Sequence, residues 1–271
     1  MLPLGQQRGA LAFGALALLS IGALAFDLTL SSRLPSAGDY GEAAAFLRGH
    51  ARAGDAVQIW PPWLEQARLY VDVGPVLAEE DLAHADYVGA QTLWLLALPG
   101  SPHANFAHAE EELRARGATP QAAALHFGPL TLTGWDLHAP PLASDLAFAN
   151  QPREWHEVQY VSHACRVMPV GGERDPSRLV LTGDAGTALH LRAGIVGERA
   201  YDSQVTPIRV EAFASDRKLG EVVLPRTVDP LPAWLGADVP SGASGPLQLE
   251  LRAWAPGPFR PNICVAAWTT R

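Results

Sequence analysis

The stretch Thr92–Leu98 reads TLWLLAL, with six apolar residues in seven. A continuous apolar run of this length, without the alternation of a half-buried strand, predicts a β-strand that is covered on both faces. A second short apolar run, Ala56–Trp60 (AVQIW), precedes it and ends at Pro61-Pro62. Helical patterns surround both runs, and strands that alternate with helices indicate a parallel sheet. We therefore predict an α/β domain.

The segments around these two strands complete that domain. Tyr40, Ala44, Leu47 and Ala51 share one face of a helix. Further helices are expected at 63–71, 79–91 and 106–116, and Gly117 ends the last of them. A short strand is expected at 73–77, and a terminal hairpin at 121–126 and 130–137. Residues 38–138 are thus predicted to form a small Rossmann-like α/β domain with helices on both faces of its sheet.

The pattern changes after residue 138. Residues 139–152 are rich in Pro and Ala and are predicted to be a linker. Short β-rich runs then dominate, separated by Gly, Pro, Asp or Ser, at 157–167, 177–181, 187–195, 206–214, 218–224, 246–255 and 262–269. About seven strands at this spacing predict an antiparallel β-sandwich over residues 153–271, of jelly-roll or immunoglobulin-like layout.

The two cysteines lie at the ends of this strand series. Cys165 is in the first predicted strand and Cys264 in the last. The terminal strands of a sandwich often lie side by side, so a disulfide is one interpretation, and two buried free thiols are the other. A bridge would close a loop of about 100 residues and contribute on the order of 3–5 kcal/mol.

The N-terminus carries an apolar run, Gly9–Phe26, without a charged residue. Its length is about the minimum for a helix that crosses a bilayer. The flanking Arg8 and Asp27 predict a cytoplasmic tail at 1–8, a transmembrane signal anchor at 9–26 and a tether at 27–37. A signal peptide cleaved after Ala25 is the main alternative, and a buried helix of a soluble protein is the third. The first two interpretations place the two domains outside the cytoplasm, on the periplasmic side of the inner membrane or at the cell exterior.

Composition and motifs exclude several function classes. The 271 residues include 28 acidic and 20 basic ones, and the basic ones are not clustered, so no nucleic-acid partner is expected. Glycine-rich phosphate loops, the hydrolase nucleophile elbow and the His-Glu-x-x-His zinc motif are missing. We expect no cofactor and no metal site, and the sequence assigns no catalytic residue. The segment 81–86 (DLAHAD) is interpreted as a solvated helix face.

Tryptophans are the remaining binding candidates. Trp60 and Trp63 follow the first strand at its carboxyl end, where α/β sheets usually bind ligands. Trp234 lies in a proline-rich segment of the predicted sandwich. Exposed indoles can stack on sugar rings, so these three residues are the candidate ligand-binding set. An enzyme site near Trp60 and Trp63, with Asp55 or Glu65 as its acid, is the alternative.

Two stretches resemble a known family. Residues 39–47 (DYGEAAAFL) with 54–57 (GDAV), and later 126–130 (HFGPL) before a tryptophan-bearing strand, resemble the extracytoplasmic region of polyprenol-phosphate-dependent membrane glycosyltransferases of the dolichyl-phosphate-mannose-protein mannosyltransferase type. The resemblance covers about residues 39–138. The family's catalytic acidic residues lie in a loop of a membrane domain with many spans. This chain has one predicted span, and Asp27 is the acidic residue that follows it.

The resemblance implies a Rossmann-like domain outside the membrane that is associated with envelope glycan assembly. We expect a noncatalytic accessory or binding module whose partner is a glycan or a multispan membrane protein. A structural scaffold of a membrane complex is a further alternative.

Overall fold

The computed structural model of the chain describes residues 16–26, 34–52, 54–77, 84–99, 106–149, 154–158, 161–197, 207–225, 234–242, 244–258 and 260–271. Helix α1 (16–26) exposes its large apolar side chains, Leu16, Leu18, Leu19, Ile21, Leu24 and Phe26. It covers the second part of the predicted anchor, and residues 9–15 lie outside the described ranges. Within those ranges, no helix combines the length and the apolar character needed to cross a membrane.

The first domain is built on a six-stranded mixed sheet. Its strands are β1 (Ala56–Trp60), β2 (Val76–Leu77), β3 (Thr92–Ala97), β4 (Thr119–Pro120), β5 (Leu125–Phe127) and β6 (Leu130–Asp136). The order is β2-β1-β3-β6-β4, with β5 also paired to β6. Strands β2, β1 and β3 are parallel, but β6 is antiparallel to β3, so the sheet is mixed where the sequence predicts a parallel one.

Helices α2 (Ala37–His50) and α3 (Phe106–Ala115) cover opposite faces of this sheet. Ser36 and Asp39 form a capping box at the start of α2, and the predicted stripe Tyr40, Ala44 and Leu47 is buried. The predicted strand around Leu95 is buried at every position, because one helix covers each face. These two helices and β3 therefore confirm the sequence prediction.

Two other expected helices are much shorter. The segment 63–71 contains only the 3-10 helix Glu65–Leu69, and Leu69 is 81% exposed, so the apolar face that would stabilise a full helix is not buried. In the described part of 79–91 there is only the 3-10 helix His84–Tyr87, which Gly89 ends with a φ of 85°. The helical prediction is wrong in both places.

The second domain is a β-sandwich, as predicted, and it is antiparallel except where the two-residue strand β11 runs parallel to β17. Its strands are β7 (Leu142–Asp145), β10 (Arg166–Pro169), β11 (Gly171–Gly172), β12 (Ser177–Asp184), β13 (Ala188–Ile195), β14 (Ile208–Ala214), β15 (Arg217–Leu224), β16 (Leu235–Pro240), β17 (Pro246–Ala255) and β18 (Asn262–Thr270). One sheet has the order β10-β18-β13-β16, with β7 beside β18. The other joins β12 and β11 to β17, followed by β14 and β15. Among β10 and β12–β18, each successive strand lies in the other sheet except at the β14–β15 hairpin, which is the jelly-roll arrangement.

Two sandwich strands lie where the sequence predicts none. Strand β7 falls in the expected linker 139–152 and pairs with β18, so this segment is not free of secondary structure. Strand β16 falls in the proline-rich segment around Trp234 and pairs with β13. Both strands are short and polar, so pairing with a neighbour rather than local hydrophobicity stabilises them. The predicted strand 157–167 divides into a separate hairpin, β8 (Trp155–Val158) and β9 (Val161–Ala164), followed by β10.

A disulfide joins Cys165 to Cys264, with 5.5 Å between their Cα atoms and 99 residues of sequence separation. Cys264 lies on β18, which pairs with β10 directly after Cys165. Both cysteines are fully buried and pack against Val158. The disulfide interpretation of the sequence is confirmed.

Candidate functional site

A cleft of about 220 Å³ lies beside the end of α3, and we call it the α3 cleft. Its lining residues come from three segments of the first domain: Tyr87, then Leu113, Arg116 and Ala118, then Leu137, His138, Ala139 and Pro140. Thr92 at the start of β3 pairs with Asp136 at the end of β6, and Leu137 follows directly. The cleft therefore lies at the amino ends of the parallel strands, whereas the sequence places the candidate site at their carboxyl ends.

The end of α3 forms one wall. Gly117 follows the helix with a φ of 85°, a conformation that glycine adopts without strain, and the N–H of Ala118 donates to the carbonyl of Leu113 at 2.9 Å. This turn directs the chain from the helix to β4. Leu113, Arg116 and Ala118 thereby line the same cleft.

His138 also lines the cleft and has an unusual backbone. Its φ is 48°, a left-handed conformation that is uncommon outside glycine. Its N–H donates to Oδ1 of Asp136 at 3.1 Å, and its Nε2 lies 2.8 Å from Oγ1 of Thr119. Its Nδ1 is 3.5 Å from the same Asp136 oxygen. The imidazole is therefore fixed at the mouth of the cleft.

Arg116 supplies the charged group of the cleft. Its Nη1 donates to Oη of Tyr87 at 3.1 Å, and its Nη2 lies 3.6 Å from Oε2 of Glu112. Behind them, a cavity of about 10 Å³ extends to Gln58, a residue of β1 that is 4% exposed. This volume holds about one water molecule. The inner end of the cleft is thus polar, and the positive charge of Arg116 there lies beside the acidic side chain of Glu112.

The three tryptophans predicted as a binding set do not form one site. Trp60 is buried in the core under α3 and is only 3% exposed. Trp63 is 55% exposed, in the turn after β1. Trp234 is partly buried between the domains and stacks on His163, with 4.6 Å between the ring centres. Only Trp63 therefore presents much of its indole to solvent.

The acids of the alternative enzyme hypothesis also lie apart. Asp55 precedes β1, is 4% exposed, and accepts hydrogen bonds from Nε1 of Trp94 at 3.2 Å and from the N–H of Arg52 at 2.9 Å. Glu65 is on the far side of β1, in the 3-10 helix, and lies 3.9 Å from Arg68 on the surface. Asp55 therefore has a structural role at the start of the strand.

The domain junction contains a buried polar contact. Oδ2 of Asp86 lies 2.9 Å from Nδ1 of His163, and Oδ1 accepts the N–H of Ala164 at 3.0 Å. Asp86 is 0% and His163 2% exposed, so the interpretation of 81–86 as a solvated face is wrong for Asp86. The two residues after Asp86 make different contacts. Tyr87 lines the α3 cleft, and Val88 packs against Trp268 of the sandwich.

A second polar cluster lies on the sandwich around Asp238. Nη1 and Nη2 of Arg192 donate to Asp238 at 2.8 and 3.2 Å, and Nδ1 of His190 lies 2.8 Å from Oδ1. Burial acts to raise the pKa of Asp238, but the hydrogen bonds from Arg192 and His190 outweigh it and hold that pKa below its ordinary value. His190 also stacks on the buried ring of Trp268.

Sequence reasoning does not find the cleft residues. Tyr87, Arg116 and His138 belong to no motif and are separated along the chain. The one local signal is the Arg116-Gly117 pair, which marks a helix end that carries a cation. Among the described residues, no group of three His, Cys, Asp or Glu side chains is placed to hold a metal ion.

No family model matches the chain, and no curated protein matches it. Among solved structures, it is similar to the CBM51-2 and INT domains of ZmpB from Clostridium perfringens, with 9% identity over 49% of this chain and 30% of that one and a TM-score of 0.28. The C-terminal CBM6 of LamC from Zobellia galactanivorans is 14% identical over 44% of this chain and 100% of that one, with a TM-score of 0.23.

A glycoside hydrolase family 43 arabinoxylan arabinofuranohydrolase from Bacillus subtilis is 11% identical over 53% of this chain and 35% of that one, with a TM-score of 0.25. The chain thus spans only about a third of the Clostridium and Bacillus structures. TM-scores this low do not establish a common function, so the assignment of function rests on the residues of this chain.

Proposed function

We propose that this chain is a noncatalytic, extracytoplasmic binding protein, anchored through residues 9–26, that binds one neutral sugar residue of an envelope glycan in the α3 cleft. The observation that carries the proposal is the arrangement of Arg116, Tyr87 and His138 around a concave site with apolar walls.

The size of the cleft favours a single sugar ring. Its volume of about 220 Å³ exceeds the roughly 150 Å³ that accommodates a benzene ring. It is below the roughly 300 Å³ at which sites for larger ligands begin. A terminal sugar of a longer chain fits this range, with the rest of the glycan outside.

The chemistry of the walls favours a neutral ligand. The guanidinium of Arg116 lies beside Glu112, and His138 lies beside Asp136, so each basic group already has an acidic neighbour. Such paired groups offer both donors and acceptors to neighbouring hydroxyls but little net charge to an anion. Leu113, Leu137 and Pro140 supply apolar surface for the carbon-bound hydrogens of a sugar ring.

Two features support a location outside the cytoplasm. Structural disulfides persist mainly in oxidising compartments, and the Cys165–Cys264 bridge is of this kind. The exposed apolar side chains of α1 suit a lipid environment better than water. The resemblance of residues 39–138 to the extracytoplasmic region of membrane glycosyltransferases supports an association with glycan assembly.

Binding without hydrolysis is proposed because the two carboxylates beside the cleft are each held by another group. Glu112 faces Arg116, and Asp136 accepts from the backbone of His138. Glycoside hydrolysis needs two carboxyl groups on either side of the scissile bond. A site near Trp60 and Trp63 remains the enzymatic alternative, and a scaffold of a membrane complex the structural one.

The test is calorimetry of the full chain in detergent. Methyl glucoside, methyl mannoside and N-acetylglucosamine are the neutral probes, and glucuronate and glucose 1-phosphate are the anionic ones. We expect saturable binding of a neutral probe, weakened about tenfold or more by Arg116→Ala, because hydrogen bonds to charged groups are the stronger ones. Arg48→Ala is the matched control, since Arg48 lies on α2 and pairs with Asp72 at the surface.

Three outcomes would contradict the proposal. Binding that Arg116→Ala leaves unchanged would remove the α3 cleft from the function. Conversion of a probe to a product would establish the enzymatic alternative. Co-purification of a multispan membrane protein without binding of any probe would establish the scaffold.

A further inference from the structure

Strand β12 has a neighbour on one side only, among the strands that the structure describes. Its eight residues, Ser177–Asp184, pair in unbroken antiparallel register with β17. A groove of about 110 Å³ runs along its other side, between Leu179–Thr182 and a wall that includes Ala149 and Arg166. Within the described ranges, this edge of the sandwich is therefore open.

The register shows which peptide groups point outward. Asp184 lies opposite Pro246, which has no N–H, whereas the N–H of Ala185 donates to the carbonyl of Gly245 at 2.8 Å. Bonded and non-bonded pairs alternate along an antiparallel ladder. The odd-numbered residues of β12 therefore bond to β17, and Arg178, Val180 and Thr182 direct their N–H and C=O groups away from it.

The other edges of the sandwich are protected against pairing. Strands β7 and β10 have only four residues each, and β10 ends at Pro169. A bulge interrupts the pairing of β15, which also carries Lys218, and β16 ends at Pro240. Short strands, prolines, bulges and lysines are the usual devices that prevent edge association. Strand β12 has none of them, and Val180 at its centre is 50% exposed.

We propose that β12 pairs antiparallel with β12 of a second copy of this chain, which forms a dimer with one continuous sheet. The outward-facing residues fix the register. When Val180 lies opposite Thr182 of the second copy, Arg178 lies opposite Asp184 of the second copy, and the two-fold axis repeats this pair. A shift by two residues in either direction removes both charge pairs. The Arg178 side chain is 61% exposed and lies 3.3 Å from Oε1 of Glu250 in a surface ion pair, which the contact with Asp184 of the second copy would extend. The Asp184 side chain is exposed, and its own carbonyl also accepts from Oγ1 of Thr269 at 2.7 Å.

A charge exchange tests this pairing. We expect native mass spectrometry of the full chain in detergent to show a concentration-dependent dimer. Arg178→Asp and Asp184→Arg should each weaken it by about tenfold, since each places like charges opposite one another twice in the dimer. The double variant should restore it. Arg68→Asp, which changes the charge equally on the first domain, is the control.

Mixed cross-linking tests the register. Opposite residues of a bonded antiparallel pair have Cα atoms about 5.5 Å apart, within the range of a disulfide. A mixture of Val180→Cys and Thr182→Cys chains should therefore oxidise to a covalent dimer more readily than either variant alone. A chain that stays monomeric, a dimer insensitive to both charge substitutions, or cross-linking that is equal in all mixtures would overturn the proposal.

Discussion

Asp86 and His163, which are 77 residues apart, meet in the buried junction between the two domains, with 2.9 Å between Oδ2 and Nδ1. A carboxylate oxygen accepts hydrogen bonds, and the Nδ1–H tautomer of His163 donates to it. The second carboxylate oxygen accepts the N–H of Ala164. One side chain of the α/β domain thus satisfies two donors of the sandwich.

Removal of this carboxylate should destabilise the protein strongly. Asp86→Ala leaves two buried donors without this acceptor, and the expected loss is about 1–3 kcal/mol for each donor in the free energy of unfolding, measured with urea. Asp72→Ala is the control and should stay within about 0.5 kcal/mol, because that carboxylate is 65% exposed in a surface ion pair. A loss below about 1 kcal/mol for Asp86→Ala would show that water replaces the contact.

Reduction of the disulfide should also lower stability. Opening a loop closed by residues 99 apart is expected to cost about 3–5 kcal/mol through the entropy of the unfolded chain. The measurement compares urea unfolding with and without a reductant. The Cys165→Ser, Cys264→Ser double variant should have the stability of the reduced protein and should not respond to the reductant. An equal response of both proteins would refute this assignment.

Tyr87→Phe should separate binding from folding. The substitution removes the hydroxyl that accepts from Arg116 but keeps the ring in the core under α3. We expect the affinity for the neutral sugar probe to fall by about fivefold, which corresponds to about one hydrogen bond, while the melting temperature changes little. Tyr70→Phe, on the opposite face of the sheet, is the matched control. A large fall in melting temperature without a change in affinity would make Tyr87 purely structural.

Acidification should weaken the cluster around Asp238. Its pKa is lower in the folded state than its ordinary value, because the hydrogen bonds from Arg192 and His190 outweigh the effect of burial. Its contribution to stability is thus present above the unfolded-state pKa of about 3.9 and is lost as the pH falls through the lower folded-state pKa. Asp238→Asn should cost at most about 1 kcal/mol at neutral pH, since the carboxylate is 56% exposed.

The dependence of stability on pH distinguishes the effect of Asp238 from acid destabilisation by other carboxylates. The stability of Asp238→Asn should decline less than that of the unsubstituted protein as the pH falls below about 4. Glu173→Gln changes an exposed carboxylate elsewhere on the sandwich and should leave the profile unchanged. Parallel profiles for the unsubstituted protein and Asp238→Asn would contradict the role of this carboxylate.

The sequence predicts elements whose signal is local. Strand β17 has the predicted bounds, because alternating apolar residues suit a half-buried strand. The pairing of Cys165 with Cys264 follows from the expectation that terminal strands of a sandwich are neighbours. Strand β7 has only four residues and depends on β18, so its own sequence gives no signal.

The candidate site has no such local signal. Tyr87, Arg116 and His138 come together only through the pairing of β3 with β6 and the turn after α3. The sequence instead points to tryptophans, because large aromatic residues suggest ligand contact. Trp60 is core, which is the more common place for this residue type. The membrane anchor and the family resemblance stay predictions.

The bridge between Cys165 and Cys264 has a mechanical consequence. Force applied along the chain from the first domain to Arg271 passes from one sulfur to the other, so the enclosed residues cannot be extended even after the sandwich has unfolded. With 99 residues of separation and about 3.5 Å per extended residue, roughly 350 Å of contour length stays hidden. A pull between the first domain and Arg271 would thus lengthen the sandwich by a short, limited distance rather than unravel it.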